Sequence, residues 1–285
     1  VPRLVLEALM SEETELFDLE LKVLLEAVYL RYHYDFRHYA VSSLRRRMRH
    51  AMGRYGLERL SDLQHRVVHD PAFFAEAMQY FTVQVSEMFR DPAYFAALRE
   101  HAVPVLKTYP SIKVWIAGCS TGEEVWSMAI LLEEEGLLDR AVIYATDINP
   151  AALEAAESGV FALDRMALFS RNYQAAGGRR SLSDYFTTGY GGAVFDRRLK
   201  KQVVFADHSL ATDAVFSEVH LVSCRNVLIY FNRELQDRAV GLFHDSLVRR
   251  GFLGLGAKES LQFGAHATAF EACAPQQRLY RRAAA

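Results

Sequence analysis

Two periodicities divide this chain, and the point where one gives way to the other restricts its architecture more than any single residue does. From Val1 to about Glu100 apolar residues recur at three- and four-residue spacing with few β-branched runs, the pattern of amphipathic helices. Pro104 and Pro110 then bracket a short connector, and beyond it short apolar runs alternate with helical stretches. Strands are expected near residues 113–117, 141–146, 202–206, 218–224, 252–256 and 278–281, and helices near 122–135, 150–158 and 232–249. Such alternation implies a mostly parallel sheet with helices on both faces, whose ligands bind at the carboxyl ends of the strands. The expected organisation is a small all-helical N-terminal domain over residues 1–100, a linker over 101–110, and an α/β domain over 111–285. A Gly-rich stretch around Gly189–Gly192, followed by the basic run Arg197–Lys201, suggests a small inserted β-hairpin over about residues 184–204.

The 285 residues suffice for two ordinary domains. A net charge of −2 disfavours a general nucleic-acid binder. The widely spaced Cys119, Cys224 and Cys273 encode neither a disulfide framework nor a zinc cluster, and they fit a reducing cytoplasm. No apolar run approaches the roughly 18–20 residues of a membrane span, so direct membrane insertion is not expected. The near-neutral total hides opposed segments. Glu7 to Glu26 holds seven acids against Lys22, whereas Arg31 to Arg66 holds nine basic residues against three acids, a surplus of six. Within the second segment Leu44, Met48, Ala51, Met52 and Tyr55 form one apolar helical stripe, and Arg45, Arg46, Arg47, Arg49, His50 and Arg54 form the opposite, basic face.

The densest text is Trp115-Ile-Ala-Gly-Cys-Ser-Thr-Gly-Glu-Glu124, a strand, a small-residue loop and a helix start. Three readings compete. Gly118-Cys-Ser-Thr-Gly122 satisfies the G-x-S-x-G elbow of a serine hydrolase using Ser120, with His208, His220 and His266 as later candidates. It also suits the cofactor loop of a Rossmann-like domain, or an ordinary strand-to-helix turn. Asp147, at the end of the next strand and 29 residues after Gly118, favours a nucleoside cofactor whose ribose meets an acid. Because only Gly118 and Gly122 are present, no G-x-G-x-x-G pyrophosphate cradle is specified. That argues against NAD and leaves room for S-adenosylmethionine, with Glu123 and Glu124 near its ammonium. His65 and His69 lie four apart but lack a third ligand, so no metal site is expected.

Three segments together carry a resemblance: Ala117-Gly-Cys-Ser-Thr-Gly-Glu-Glu124, Ala145-Thr-Asp-Ile-Asn149 and Ser223-Cys-Arg-Asn-Val-Leu-Ile-Tyr-Phe231. With Phe81–Arg90 upstream and, less closely, Gly254–Ser260 downstream, the chain resembles the CheR family of chemotaxis receptor methyltransferases from about Leu19 to Arg281. The resemblance implies a helical domain and a Rossmann-like domain binding S-adenosylmethionine. It implies methyl transfer to glutamate side chains of receptor cytoplasmic helices, giving γ-glutamyl methyl esters and S-adenosylhomocysteine. The family's cofactor contacts fall on Gln84, Ser86, Arg90, Glu124, Asp147, Ser209, Leu210, Asn226 and Val227, with Gly118 in the same loop. Gln84 and Ser86 stand where the family usually has Asn and Thr, Ser209 where it often has Asn, and Met88 where it has Phe.

Glutamate, with an ordinary pKa near 4.3, is already an anionic nucleophile at neutral pH, so no general base is required. Arg90 is the expected group for the incoming carboxylate and Tyr230 the expected hydroxyl near the reacting atoms. Arg46, Arg47, Arg49 and Arg54 are expected to dock an acidic substrate helix; the other reading of that face is a solvated one paired with the preceding acidic helix. The inserted hairpin, which in the family can bind a receptor's tethering tail peptide, looks short here. Also expected are a cytoplasmic monomer with receptor helices as partners, and no nucleic-acid partner. A cofactor-binding scaffold without catalysis is the alternative from another class.

Overall fold

The computed structural model describes residues 3–189, 191–262 and 264–284, with side chains from residue 13 onward. The chain forms two compact units, one of Val1–Val83 with Tyr230–Leu235, the other of Gln84–Ile229 with Gln236–Ala285.

The described residues of the first unit include the helices α1 (Arg3–Tyr32), α2 (Val41–Tyr55), α3 (Leu60–His69) and α4 (Pro71–Phe81). Local signals set their ends. Asp70 caps α4 by accepting from the Ala72 and Phe73 N–H groups at 3.0 Å, with Pro71 in the first turn, a cap worth about 1 kcal/mol. Gly56, at φ 64°, supplies the left-handed stop of α2. Of the predicted stripe Leu44, Met48 and Ala51 are fully buried, with Leu24, Val28, Leu63, Val67, Phe36 and Phe81, while Met52 and Tyr55 are half-buried.

Arg47 departs from its expected place on the basic face. It is 9% exposed, and its guanidinium donates to the Phe81 and Ser43 carbonyl oxygens. The reason is positional: residue 47 follows Leu44 by three and precedes Ala51 by four, so it lies on the buried stripe. Burial pushes its pKa down.

The second unit begins with α5 (Pro92–Ala97), a π-helical turn (Leu98–Ala102) and α6 (Val103–Leu106). There follow β1 (Ile112–Ala117), α7 (Glu123–Glu134), β2 (Ala141–Asp147), α8 (Pro150–Ser158), β3 (Val160–Ala162) and α9 (Met166–Ala175). The chain continues through β4 (Phe186–Gly189), β5 (Gly192–Phe195), α10 (Arg197–Lys200), β6 (Val203–Asp207), β7 (Val219–Cys224), α11 (Arg233–Ser246), β8 (Leu247–Leu255), β9 (Phe270–Ala274) and β10 (Leu279–Arg282). The main sheet has the order β6-β2-β1-β7-β8-β10-β9, its first five strands parallel and β10 antiparallel to both neighbours. A separate antiparallel sheet, β3-β5-β4, contains the expected hairpin; Tyr190 at its turn lies outside the described residues.

The division between the units falls at 83/84, not at a linker over 101–110. Met88, Phe89, Tyr94, Phe95, Leu98, Val103 and Leu106 are at most 2% exposed and share one core with Ile112, Val114 and Ile116 of β1 and Ile130 of α7. Pro104 sits in the first turn of α6 rather than in a connector. Amphipathic spacing says that one helix face is buried, not whether a helix or a sheet covers it, which is why the sequence pattern runs past the true boundary. At the other end, α11 stops at Ser246, and β8 begins where a helix was expected to continue to Arg249.

Candidate functional site

Strand order fixes where a ligand can enter. From β1 the chain moves to β2 on one side, adds β6 beyond it, and returns to place β7 on the other side of β1. The carboxyl ends of β1 and β7 therefore flank the topological switch point, the usual ligand crevice of an open α/β sheet. Gly118 follows β1 and Val227 lies just past β7, and the two meet: a Cβ on Gly118, whose φ is 71°, would stand 2.5 Å from Val227 Cγ2. Only glycine permits both that backbone angle and that approach. Gly122, at φ 92°, is confined in the same way against Ala156 of α8.

The loop between these glycines is held by an acid. Asp147, at the end of β2, accepts the Ser120 N–H on Oδ2 and the Asn149 N–H on Oδ1, both at 2.9 Å. Burial pushes the Asp147 carboxyl above its ordinary value, and the N–H groups of Asn149, Ser120 and Ile148 pull it back. Ser120 Oγ donates to Gln84 Oε1 at 2.7 Å, bringing the segment before α5 onto the loop. That bond gives the hydrolase reading no support, since an amide oxygen cannot serve as general base to Ser120; His208 Nε2 is engaged with the Ala214 carbonyl at 3.2 Å.

The two acids opening α7 have different tasks. Glu123 is fully buried; it accepts from Thr121 Oγ1 at 2.7 Å and Arg165 Nη1 at 2.6 Å, so it is not available to a cofactor ammonium. Arg165 also donates to the Ser86 carbonyl oxygen, which ties that expected contact residue to the loop. Glu124 accepts from Ser223 Oγ at 2.5 Å and Arg225 Nη1 at 3.0 Å, and its side chain stays 13% exposed. Arg225 Nη2 donates to Asp91 Oδ2 and to the Arg90 carbonyl oxygen, each at 2.8 Å. Phe89 and Asp91 on either side of Arg90 both have positive φ, 50° and 53°, a backbone strain that persists only where surrounding contacts enforce it. Arg90 itself reaches the Val85 carbonyl oxygen at 3.4 Å, longer than an ordinary hydrogen bond.

Beyond β6, Ser209 closes a turn, its N–H donating to Asp213 Oδ2 at 2.9 Å, and Leu210 is buried. Past β7, Asn226 has φ 61°, and its N–H and that of Val227 donate to Glu259. Gly118, Asp147, Ser209, Leu210, Asn226 and Val227 thus all lie at or just past the carboxyl ends of β1, β2, β6 and β7, with Gln84 bonded to the same loop and Ser86 bonded to Arg165, the partner of Glu123. Tyr230 belongs to the helical unit, where its carbonyl oxygen accepts the Ala40 N–H at 2.7 Å and the Arg47 guanidinium lies 5.8 Å from its ring centre. Of the basic face, Arg46, Arg49 and Arg54 are exposed; Arg49 lies 4.9 Å over the Phe17 ring, and the neighbouring Arg45 pairs with Asp18 at 2.6 Å. The Arg45–Asp18 pair fits the reading of a face partnered by the preceding acidic helix.

Arg225 and Glu259 organise this site without having been singled out from the sequence. Arg225 sits inside a distinctive Cys-Arg-Asn string, but its partner Asp91 is 134 residues away. Cys119 and Cys224 are buried, and burial pushes both thiols up, which makes them packing residues. Among the described residues, no three His, Cys, Asp or Glu side chains gather as for a metal ion.

The donor set chooses among nucleoside cofactors. The Ser120 N–H is already taken by Asp147, and Glu123 and Glu124 at the start of α7 are paired with Arg165 and Arg225. A phosphate would find the Ser120 amide occupied where a dinucleotide site offers open amides. A cofactor with a cationic sulfonium and ammonium fits. Fold and donor set together define an α/β domain of the S-adenosylmethionine-dependent methyltransferase class.

Family models agree. Residues 84–278 match the CheR methyltransferase, SAM binding domain, and residues 19–82 the CheR methyltransferase, all-alpha domain, a division that falls at the same place as the 83/84 boundary between the units. A protein named putative methyltransferase Cher3 from Pseudomonas putida KT2440 is 57% identical over 265 residues, 93% of this chain and 97% of that one. The chemotaxis protein methyltransferase of Vibrio parahaemolyticus is 32% identical over 236 residues, 80% of this chain and 82% of its own. The chain belongs to the CheR methyltransferase family, and its methyl donor is S-adenosylmethionine.

Proposed function

We propose that this protein methylates glutamate side chains on the cytoplasmic helices of chemoreceptors, forming γ-glutamyl methyl esters, and that it does so as a cytoplasmic enzyme. The observation that carries the reading is the presentation of Arg90. Two left-handed residues flank it, Arg225 grips its carbonyl oxygen, and no ion pair to its guanidinium occurs among the described residues. A planar cation so displayed suits a carboxylate acceptor.

When bound, S-adenosylmethionine supplies an electrophilic methyl group. Gln84, Ser86, Arg90, Gly118, Glu124, Asp147, Ser209, Leu210, Asn226 and Val227 are the residues proposed to hold it, Asp147 accepting from ribose hydroxyls and Glu124 facing the ammonium. Because the acceptor glutamate is ionised at neutral pH, the protein needs no base. Its task is to hold one carboxylate oxygen in line with the transferred group, an orientation effect worth up to about 7–11 kcal/mol. Arg90 is proposed to do this; Tyr230, the other residue expected near the reacting atoms, belongs to the helical unit. Arg46, Arg49 and Arg54 are proposed to steer the acidic receptor helix; Arg47, being buried, is not among them.

Methyl-labelled cofactor incubated with receptor cytoplasmic fragments tests the reading. Label on the receptor that mild alkali releases as methanol is the expected result. Alkali-stable label would mean an amide or amine acceptor, and cofactor binding without any transfer would mean a scaffold.

A further inference from the structure

One buried carboxylate in the α/β unit has no place in the chemistry above. Glu259 lies past the end of β8, is 3% exposed, and forms no ion pair among the described residues. Among the described residues, the hydrogen bonds to its carboxylate come from backbone amides. Oε2 accepts the N–H of Asn226 at 2.9 Å and of Gly256 at 2.5 Å; Oε1 accepts the N–H of Val227 at 2.8 Å and of Ile229 at 3.4 Å.

The arrangement follows from the turn after β7. With Asn226 in the left-handed region, successive N–H groups point to one side and would be buried without acceptors. A carboxylate there meets several at once, in the manner of an anion held in a backbone nest. Its approach needs Gly256: a Cβ at that position would stand 2.8 Å from Asn226 N, from Asn226 Nδ2 and from Glu259 Oε2. The loop so fixed carries Asn226 and Val227, and Val227 is the residue against which Gly118 abuts. Burial raises the Glu259 pKa, and the N–H groups of Gly256 and Asn226 pull it back.

We propose that Glu259 is a positioning residue for the cofactor site, its carboxylate setting the Asn226–Val227 edge of the switch-point crevice without itself touching cofactor or substrate. The inference rests on the assignment of Asn226 and Val227 to cofactor binding. Its signature is a loss in cofactor affinity with little loss in the reaction once cofactor is bound.

Titration calorimetry with S-adenosylhomocysteine, together with turnover at saturating S-adenosylmethionine, tests it on the full chain. Glu259→Gln keeps the shape but sets an NH2 group against backbone N–H donors. The Kd is expected to rise about tenfold, the size of one lost charge-assisted hydrogen bond, and kcat to stay within about threefold. A Kd within twofold of wild type, or a fall in kcat at unchanged Kd, overturns the proposal. Should that variant fail to fold, Gly256→Ala displaces the carboxylate while keeping its charge; the same affinity-only loss is expected, and an unchanged Kd overturns the proposal. Exposed Glu271→Gln on β9 serves as the control that leaves both parameters unchanged. Wild-type protein that fails to bind S-adenosylhomocysteine would instead refute the reading of the site itself.

Discussion

Arg47 in the helical unit and Arg225 in the α/β unit are both buried guanidiniums, yet their surroundings differ in kind. Arg225, 1% exposed at its side chain, is held by Glu124 and Asp91 and lies 4.2 Å from the centre of the Tyr94 ring. Arg47 has carbonyl oxygens for partners and, among the described residues, no carboxylate. The contrast extends to the units around them. In the α/β unit acids and bases lock one another, as Glu123 does with Arg165 and Glu134 and Glu135 do with Arg99. On α2 Arg46, Arg49 and Arg54 stand in solvent. Locked charge can fix a cofactor loop because it is costly to rearrange, whereas solvated charge can attract a partner but holds little in place.

The largest effect should come from Arg225→Met, which leaves Glu124 without its cation. A loss of about 3–5 kcal/mol in denaturant unfolding is expected, with transfer activity reduced at least about 100-fold. Arg225→Lys should recover little, since a point charge cannot span Glu124, Asp91 and the Arg90 carbonyl oxygen. A stable, active Arg225→Met variant would erase the contrast.

A smaller effect is expected at Glu134, which accepts from Tyr173, Arg179 and Arg99. Burial pushes its carboxyl up, but these partners prevail and hold it below the ordinary glutamate value. Its contribution to stability is therefore present above a pH of about 4.5 and is lost as pH falls through the lowered value. Glu134→Gln should cost about 2 kcal/mol at pH 7 and less at pH 3, read from urea midpoints at the two pH values. Equal losses at both would show that packing, not charge, is what matters there.

Smallest in stability is Arg46→Glu with Arg54→Glu, expected to change unfolding by less than about 0.5 kcal/mol. The receptor KM should nevertheless rise several-fold at low ionic strength, and the difference should shrink as salt is added. A KM and a salt dependence equal to wild type would end the docking role of α2.

Local signals and distant contacts divide what the sequence reveals. Helix α8 was legible to the residue, because Asn149 accepts from Ala151 and Ala152 and Pro150 opens the first turn. The β1 loop was legible for a similar reason, since small residues followed by two acids mark a strand-to-helix turn wherever they stand. Hidden were relations carried by sequence-distant partners. Glu259 meets the Asn226 N–H from 33 residues away, and Phe89 reaches Ser127 across 38. Nothing in the spelling of residues 84–106 says that a sheet rather than a helical bundle covers their apolar side. Strand β9 also went unread, being one short run of mixed polarity, Phe-Glu-Ala-Cys-Ala.

The bond from the Ser120 N–H to Asp147 has a consequence for life in a crowded cell. ATP and related nucleotides share the adenosine half of S-adenosylmethionine, so an adenosine pocket by itself would spend much of its time holding the wrong guest. Here the amide that a phosphate tail would seek is already occupied by the protein's own carboxylate, with Glu123 and Glu124 close behind it in α7. A phosphate tail would find that amide closed to it, through the same contact that gives the loop its shape.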